Sequence, residues 1–206
     1  QQDQIFCGSN ERYNEVWWFY PSADSTVVDR YVIYNYIERT WAYGNLERTA
    51  WLDSSLRDNP IAAGYDGQVI YHEIGCDDGT TNPPSPITAY VQSADFDIGD
   101  GHNYGFVWRL IPDITFDGSS VNNPSVTLTM RPRQNPGSNY SEAATPTVTS
   151  TQNYQNERYY EVQQFTQIVY VRVRGRQMAF KISSTGLGVA WQLGVPRMDV
   201  KPDGRR

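Results

Sequence analysis

The carboxylates of this chain are the first side chains to test for chemistry, because paired Asp and Glu residues act as general acid and base in glycoside hydrolysis. Four of them stand near Trp and Tyr residues that could stack on sugars: Asp53, Asp58, Asp66 and Glu73. The sequence places no further carboxylates opposite these four. We therefore expect no catalytic residue, and a propeller glycosidase stays only as an alternative.

Two segments carry residue types that ligate metals. DFDIGDGH, residues 95–102, misses the Asp-x-Asp-x-Asp-Gly rhythm of a calcium loop and has no closing Glu, so a turn is favoured. His72 and Cys76, with Cys7 and His102, are zinc-ligand types, but HEIGC is not a standard zinc knuckle. The chain also lacks GxSxG, P-loop and GxGxxG motifs. We expect no enzyme, no metal and no cofactor.

Cysteine usage and hydropathy set further bounds. Cys7 and Cys76 permit one disulfide, but a chain of 206 residues does not need one, so free buried thiols are favoured. No run of eighteen apolar residues occurs, and QQDQIFCGSN has neither a basic start nor an apolar core. We expect neither a membrane-spanning segment nor a signal peptide.

The composition favours strands over helices. Only 19% of the residues are charged while 14% are aromatic, with fifteen Tyr and six Trp. Aromatic and β-branched side chains suit a pleated, half-buried surface. We therefore predict an all-β fold, with propeller-type antiparallel blades followed by an antiparallel β-sandwich-like domain.

Residues 1–80 predict one to two propeller blades. NEVWWFYPS, DRYVIYNYIERTWAYGNL and RTAWLDSS give a strand, a long strand, a Trp-containing strand and a shorter strand ending at Leu52-Asp53. Four short antiparallel strands in about forty residues have the size of one blade. Both faces of DRYVIYNY carry apolar bulk, so we expect this strand to be covered on both sides. A second round begins at NPIAAGYDGQVIYHEIG; the alternative is part of a sandwich.

The turn-rich residues 81–86 predict a linker, and residues 87–206 predict the sandwich-like domain. Its strands are ITAYVQS, NYGFVWRLIPDITF, VTLTMRPR, VRVRG, RQMAFKI and, as a half-buried strand, GVAWQLGVP. The polar residues 134–156 predict a long loop or arm.

Charge divides the chain unevenly. Residues 1–164 hold nine basic and twenty-one acidic side chains, net −12, whereas residues 165–206 hold eight basic and two acidic, net +6. In VYVRVRG the Val residues share one face and the Arg residues the other. Such a surface is an ordinary solvated sheet face, an assembly interface or a nucleic-acid patch. Its candidate interface residues are Arg172, Arg174, Arg176, Lys181, Arg197, Arg205 and Arg206.

Several segments together resemble one family. They are VRVRGRQMAFKI, GVAWQLGVPRMDVKPDGRR, the aromatic segment WWFYPSADSTVVDRYVIYNYIERTWAYGNLERTAWLD, ITAYVQSADFDIGDG and the VWRLIPD strand. The chain resembles the C-terminal part of the β-propeller tail proteins of short-tailed bacteriophages. These are the tail nozzle, also called tail tubular protein B, and the packaged-DNA stabilisation proteins. The alternating Val/Arg run, Trp-x-Leu-Gly and Pro-Asp-Gly-Arg are the most specific motifs.

The resemblance implies a structural virion protein, assembled in the host cytoplasm and present in the phage tail. It implies a ring of six copies, in contact with portal or adaptor proteins and tail fibres, around DNA that passes without sequence-specific binding. The family's full proteins are several times longer than this chain. A second hypothesis from the residues is a carbohydrate-binding adhesin domain in which Trp17, Trp18, Trp41 and Tyr43 stack on sugars.

Overall fold

The computed structural model describes residues 2–54, 56–97, 101–135 and 157–205. The described residues contain antiparallel β-sheets, two 3-10 turns (Gln2–Gln4 and Glu11–Tyr13) and no α-helix. The all-β prediction is confirmed. No helix in these ranges has the length and hydropathy needed to cross a membrane. Most of the predicted polar loop, residues 136–156, lies outside the described residues.

The chain forms two compact units, Gln1–Ile74 and Gly75–Arg206. Within the described part of the first unit the strands are β1 (Phe6–Asn10), β2 (Glu15–Tyr20), β3 (Arg30–Asn35), β4 (Thr40–Asn45), β5 (Ala50–Leu52), β6 (Ile61–Ala63) and β7 (Val69–Tyr71). They form a four-stranded meander, β1-β2-β3-β4, and a three-stranded one, β5-β6-β7.

The four-stranded sheet differs from the expected one in its outer member. The segment ending at Leu52-Asp53 pairs with β6 rather than with β4, and β1 supplies the fourth strand. FCGSN, which forms β1, is too polar to show a strand pattern. It pairs because it runs back along the apolar strand β2.

The core of the first unit lies on one face of this sheet. Trp17, Phe19 and Ile33 are buried there, and the ring of Trp51 stacks on Trp17 with centroids 5.0 Å apart. Trp51 fits because Gly8 has no side chain: a Cβ at position 8 would lie 2.2 Å from the Trp51 ring. Its indole Nε1 donates to the Ser9 carbonyl at 2.7 Å.

The opposite face of the four-stranded sheet is largely exposed at β4. Val32 and Tyr34 are half-buried, whereas Trp41 and Tyr43 are 66% and 72% exposed. The expectation that the DRYVIYNY strand is covered on both sides is therefore wrong for this unit. Apolar residues at both parities of a strand predict two apolar faces, but not what covers them.

The strands in the described part of the second unit are β8 (Asp77–Asp78), β9 (Ser85–Pro86), β10 (Ala89–Gln92), β11 (Phe96–Asp97), β12 (Gly105–Ile111), β13 (Ile114–Thr115), β14 (Ser125–Arg133), β15 (Arg158–Gln163), β16 (Val173–Gly175), β17 (Gln177–Ser184), β18 (Gln192–Leu193) and β19 (Arg197–Pro202). Residues 81–86, expected as a linker, form the loop and second strand of the β8–β9 hairpin.

Two sheets supply the core of the second unit. One has the order β10-β17-β14-β15, with β11 also paired to β17, and the other has the order β16-β12-β19. Buried residues from both sheets pack together, among them Leu128, Met130 and Ile182 from the first and Val107 and Val173 from the second.

The expected strand GVAWQLGVP is wrong in extent, because only β18 forms there and pairs with β13. Trp191 and Val189 nevertheless pack against the core. Ser119 holds the backbone just before β18: its hydroxyl donates to the Ala190 carbonyl at 2.8 Å and accepts from the Ala190 amide at 3.0 Å.

Candidate functional site

The three-stranded sheet β16-β12-β19 separates apolar from basic side chains. Val169, Val171 and Val173 are buried, whereas Arg172 and Arg174, which alternate with them, are exposed. Residues 169–172 precede β16 but still run alongside β12. Val169 forms an antiparallel β-bridge with Leu110, and the Val171 backbone amide donates to the Trp108 carbonyl at 3.1 Å. The alternation in VYVRVRG therefore directs the Arg side chains away from the core.

Strand β19 extends the same surface. Arg174 and Lys201 both lie opposite Phe106, on its two sides, and Arg197 lies opposite Ile111. Directly opposed residues of antiparallel strands project to one face. We call this surface the basic face; its cations are Arg109, Arg172, Arg174, Arg197 and Lys201.

Two carboxylates on β19 and just after it neutralise part of the basic face. Arg109 Nε donates to Asp199 at 2.6 Å, and Arg174 pairs with the Asp203 carboxylate. Arg172 and Arg197 form no ion pair with a described residue. Partly exposed pairs of this kind contribute little stability and mainly orient the guanidinium groups.

Aromatic rings lie among these cations. The Arg109 guanidinium is 4.9 Å and the Lys201 ammonium 5.2 Å from the Trp108 ring centroid. Arg174 lies 4.0 Å from the Tyr104 centroid. Rings under cations hold long side chains in fixed positions.

The structure does not bring all the predicted interface residues together. Arg172, Arg174 and Arg197 share the basic face, whereas Arg176 and Arg205 line a nearby surface pocket with His102. Lys181 lies on β17 in the other sheet, with its ammonium 4.4 Å from the Tyr90 ring. Arg206 lies outside the described residues.

Two cations of the basic face were missed by the sequence reasoning. Arg109 lies in an otherwise apolar strand, and the β-bulge between Val107 and Arg109 turns it to the basic side. Lys201 was not singled out, although it alternates with Val200 in the same way that Arg174 alternates with Val173. The alternation of apolar and polar residues around Val200 could therefore have placed Lys201 on the basic face.

The carboxylates considered for hydrolysis have structural contacts. The Asp53 carboxylate accepts from the backbone N–H of Glu11 at 2.7 Å, and the Asp66 carboxylate accepts from the backbone N–H of Gln68 at 3.1 Å in the β6–β7 turn. The Glu73 carboxylate accepts from the side-chain amide of the buried Asn10 at 3.4 Å. Asp58 is exposed.

Two of the residues considered for metal binding have protein partners. Asp95 pairs with Arg133 at 3.0 Å, and His72 Nε2 lies 3.0 Å from Arg48 Nε. Within the described ranges no three His, Cys, Asp or Glu side chains are grouped in a way that could hold a metal ion. Cys7 and Cys76 are free thiols, but Cys7 is exposed and Cys76 half-buried, so the expectation of buried thiols is wrong.

Fold and site together define an all-β protein of antiparallel sheets whose second unit carries a basic face. No protein-family model matches the chain, and no curated protein matches it significantly. The phage-tail family named from the sequence therefore stays a prediction.

Proposed function

We propose that this chain is a structural subunit of the tail of a short-tailed bacteriophage. It forms part of the nozzle or plug that retains DNA and conducts it below the portal and adaptor. The observation that carries the proposal is the basic face, because the residues that resemble the family most specifically, 171–206, supply four of its five cations. The remainder of the chain is acidic.

The finer architecture belongs to the same proposal. The four-stranded meander β1-β2-β3-β4 has the strand order of one propeller blade, and β5-β6-β7 has that of a partial second blade. The two sheets that share the core of the second unit support a sandwich-like domain. The exposed aromatic face of the first meander is the surface on which another blade packs in a propeller.

Charge gives the subunit two roles in a ring. An acidic wall repels the phosphate backbone, so DNA slides past without being trapped. The basic face docks on the acidic surface of a neighbouring copy and fixes its register. Arg172 and Arg197 are the principal docking residues because no described carboxylate neutralises them.

The mass of the purified chain in solution tests this docking. Light scattering at roughly 0.01 M and roughly 1 M salt is informative, because the screening length falls from about 30 Å to about 3 Å between them. We expect an oligomer at low salt that dissociates at high salt. The double variant Arg172→Glu, Arg197→Glu should be monomeric at both.

Arg158→Glu is the matched control, since Arg158 is an exposed residue of β15 in the other sheet. It should leave the oligomer intact. A wild-type monomer at both salt concentrations would contradict self-association through the basic face.

A second candidate function is carbohydrate binding, and the exposed aromatic face of the first unit favours it. Trp41 packs against Tyr34 at 4.6 Å between ring centroids, yet two thirds of its surface is exposed, and Tyr43 follows on the same side of β4. Arg30 and Asn45, hydrogen-bonded to each other, lie beside Tyr43. Rings flanked by polar side chains are typical of sugar sites. Trp17 cannot take part, because it is buried on the opposite face.

A glycan array separates the two candidates. If the aromatic face binds a sugar, Trp41→Ala should weaken binding about tenfold or more, because truncating an aromatic anchor costs roughly 2 kcal/mol. Phe165→Ala, at an exposed aromatic residue of the second unit, is the control. If no glycan on the array binds the protein, carbohydrate binding is discarded and the assembly function remains.

A further inference from the structure

The pocket beside the basic face is lined by cationic residue types. It has a volume of about 360 Å³, and the described residues that line it are His102, Arg176 and Arg205. A pocket of similar size in the first unit, about 400 Å³, is lined by Arg12 but also by Glu15 and Glu38. Of these two pockets, the one in the second unit combines two guanidinium groups with no lining carboxylate among the described residues.

Arg176 is held at this pocket by a buried aromatic ring. Tyr104 is only 9% exposed, and its ring lies beneath two guanidinium groups, Arg174 at 4.0 Å and Arg176 at 5.1 Å from the centroid. The same ring therefore contacts both guanidinium groups. Asp203 neutralises Arg174, but no described carboxylate pairs with Arg176 or Arg205.

The hydrogen-bonding capacity of Arg176 is largely unused. Its Nε–H is buried without an acceptor among the described residues, and Nη2 makes one long bond, 3.4 Å, to the Arg205 carbonyl. A guanidinium group offers five N–H donors in a planar fork, and buried donors without partners are costly. An added acceptor that carries negative charge would satisfy these donors and offset the positive charges of Arg176 and Arg205.

We propose that this pocket binds a phosphate group. The proposal goes beyond the assembly function, because these lining side chains belong to one chain and need no neighbouring copy. Phosphate suits the pocket better than a carboxylate does, since it presents more acceptor oxygens to the guanidinium donors of Arg176 and Arg205. Free inorganic phosphate and a nucleic-acid backbone share this chemistry.

The Nε–Hε resonances of the arginine side chains report binding directly by NMR. The intact chain is titrated with sodium phosphate, with sodium chloride at equal ionic strength, with sodium acetate and with a short single-stranded oligodeoxynucleotide. We expect the Arg176 and Arg205 resonances to shift and saturate with inorganic phosphate or with the oligonucleotide. The tighter binder of these two identifies the source of the phosphate.

Two variants and one control complete the test. Arg176→Gln should weaken binding about tenfold, the effect of losing a charge-assisted hydrogen bond. Arg205→Gln, at an exposed position near the end of the described chain, should weaken binding without any risk to folding. Arg158→Gln should bind as the wild type does. The proposal is overturned if neither phosphate nor the oligonucleotide saturates the signals, or if chloride or acetate produces the same shifts.

Discussion

At the scale of single residues, the first unit contains two carboxyl groups whose pKa is raised by folding, Glu15 and Glu73. Burial raises the pKa of Glu15, and the nearby Glu38 raises it further, although a hydrogen bond from Trp17 Nε1 opposes both effects. Burial also raises the pKa of Glu73, together with repulsion from Glu15, while Arg12 lowers it. The folded state therefore holds these protons more tightly than the unfolded chain does.

The direction of these shifts predicts how stability depends on pH. A carboxyl group whose pKa is raised by folding destabilises the fold when it is ionised. Stability therefore rises as the pH falls from neutral through the folded-state pKa, and this rise ends near the unfolded-state pKa of 4.5. Glu15→Gln keeps the acceptor for Trp17 and removes the charge. We expect it to stabilise the protein at pH 7 by about 0.5 kcal/mol, the upper range for partly exposed positions.

Thermal unfolding of both proteins at pH 5 and at pH 7 measures this difference. The gain from Glu15→Gln should be larger at pH 7 than at pH 5, because the wild-type carboxyl is ionised more fully at pH 7. Glu47→Gln, at an exposed residue of the same unit, controls for the loss of a negative charge. A variant that is less stable than wild type at pH 7 contradicts the argument.

At the scale of elements, one glycine sets the path between the two sheets of the second unit. Gly175 ends β16, the Arg176 amide donates to the Arg133 carbonyl of β14 at 2.9 Å, and β17 begins at Gln177 in the other sheet. A Cβ on Gly175 would lie 2.9 Å from the Gln177 carbonyl oxygen and 3.0 Å from that of Arg133. Both are backbone atoms inside paired strands, so neither moves easily.

Gly175→Ala should therefore destabilise the second unit by about 1–3 kcal/mol, the usual cost of overpacking. The midpoint of urea unfolding, followed by tryptophan fluorescence, measures the loss. Gly79→Ala is the matched control, because nothing lies within 4 Å of a Cβ at that position. Equal midpoints for the two variants would show that the crossing between the sheets tolerates a methyl group.

Strand patterns explain which elements could be predicted. Where apolar and polar residues alternate beside a buried partner, as in 169–174 and in β17, the sequence indicated which side chains face the core. β1 was missed because FCGSN owes its strand to the pairing with β2, which is a non-local interaction. β18 is short although GVAWQLGVP alternates, because only two of its residues find a partner strand.

At the scale of the whole molecule, composition and charge predicted more than the motifs did. The all-β class follows from the aromatic content, and the position of the basic face follows from the charge asymmetry combined with the alternation in VYVRVRG. The separation of Arg176 and Arg205 from Arg172 and Arg197 could not be predicted. It depends on which sheet the chain enters after Gly175, and a glycine in the sequence does not show that.

The position of Cys7 gives the aromatic face of the first unit a built-in chemical reporter. Cys7 lies directly opposite Trp18 in the β1–β2 ladder, so its exposed thiol projects from the same face as Trp41 and Tyr43. The rate at which a bulky maleimide alkylates Cys7 consequently measures how open that face is. An adjoining blade, another copy or a bound glycan would each slow this alkylation, and the half-buried Cys76 in the other unit supplies an internal reference within the same polypeptide.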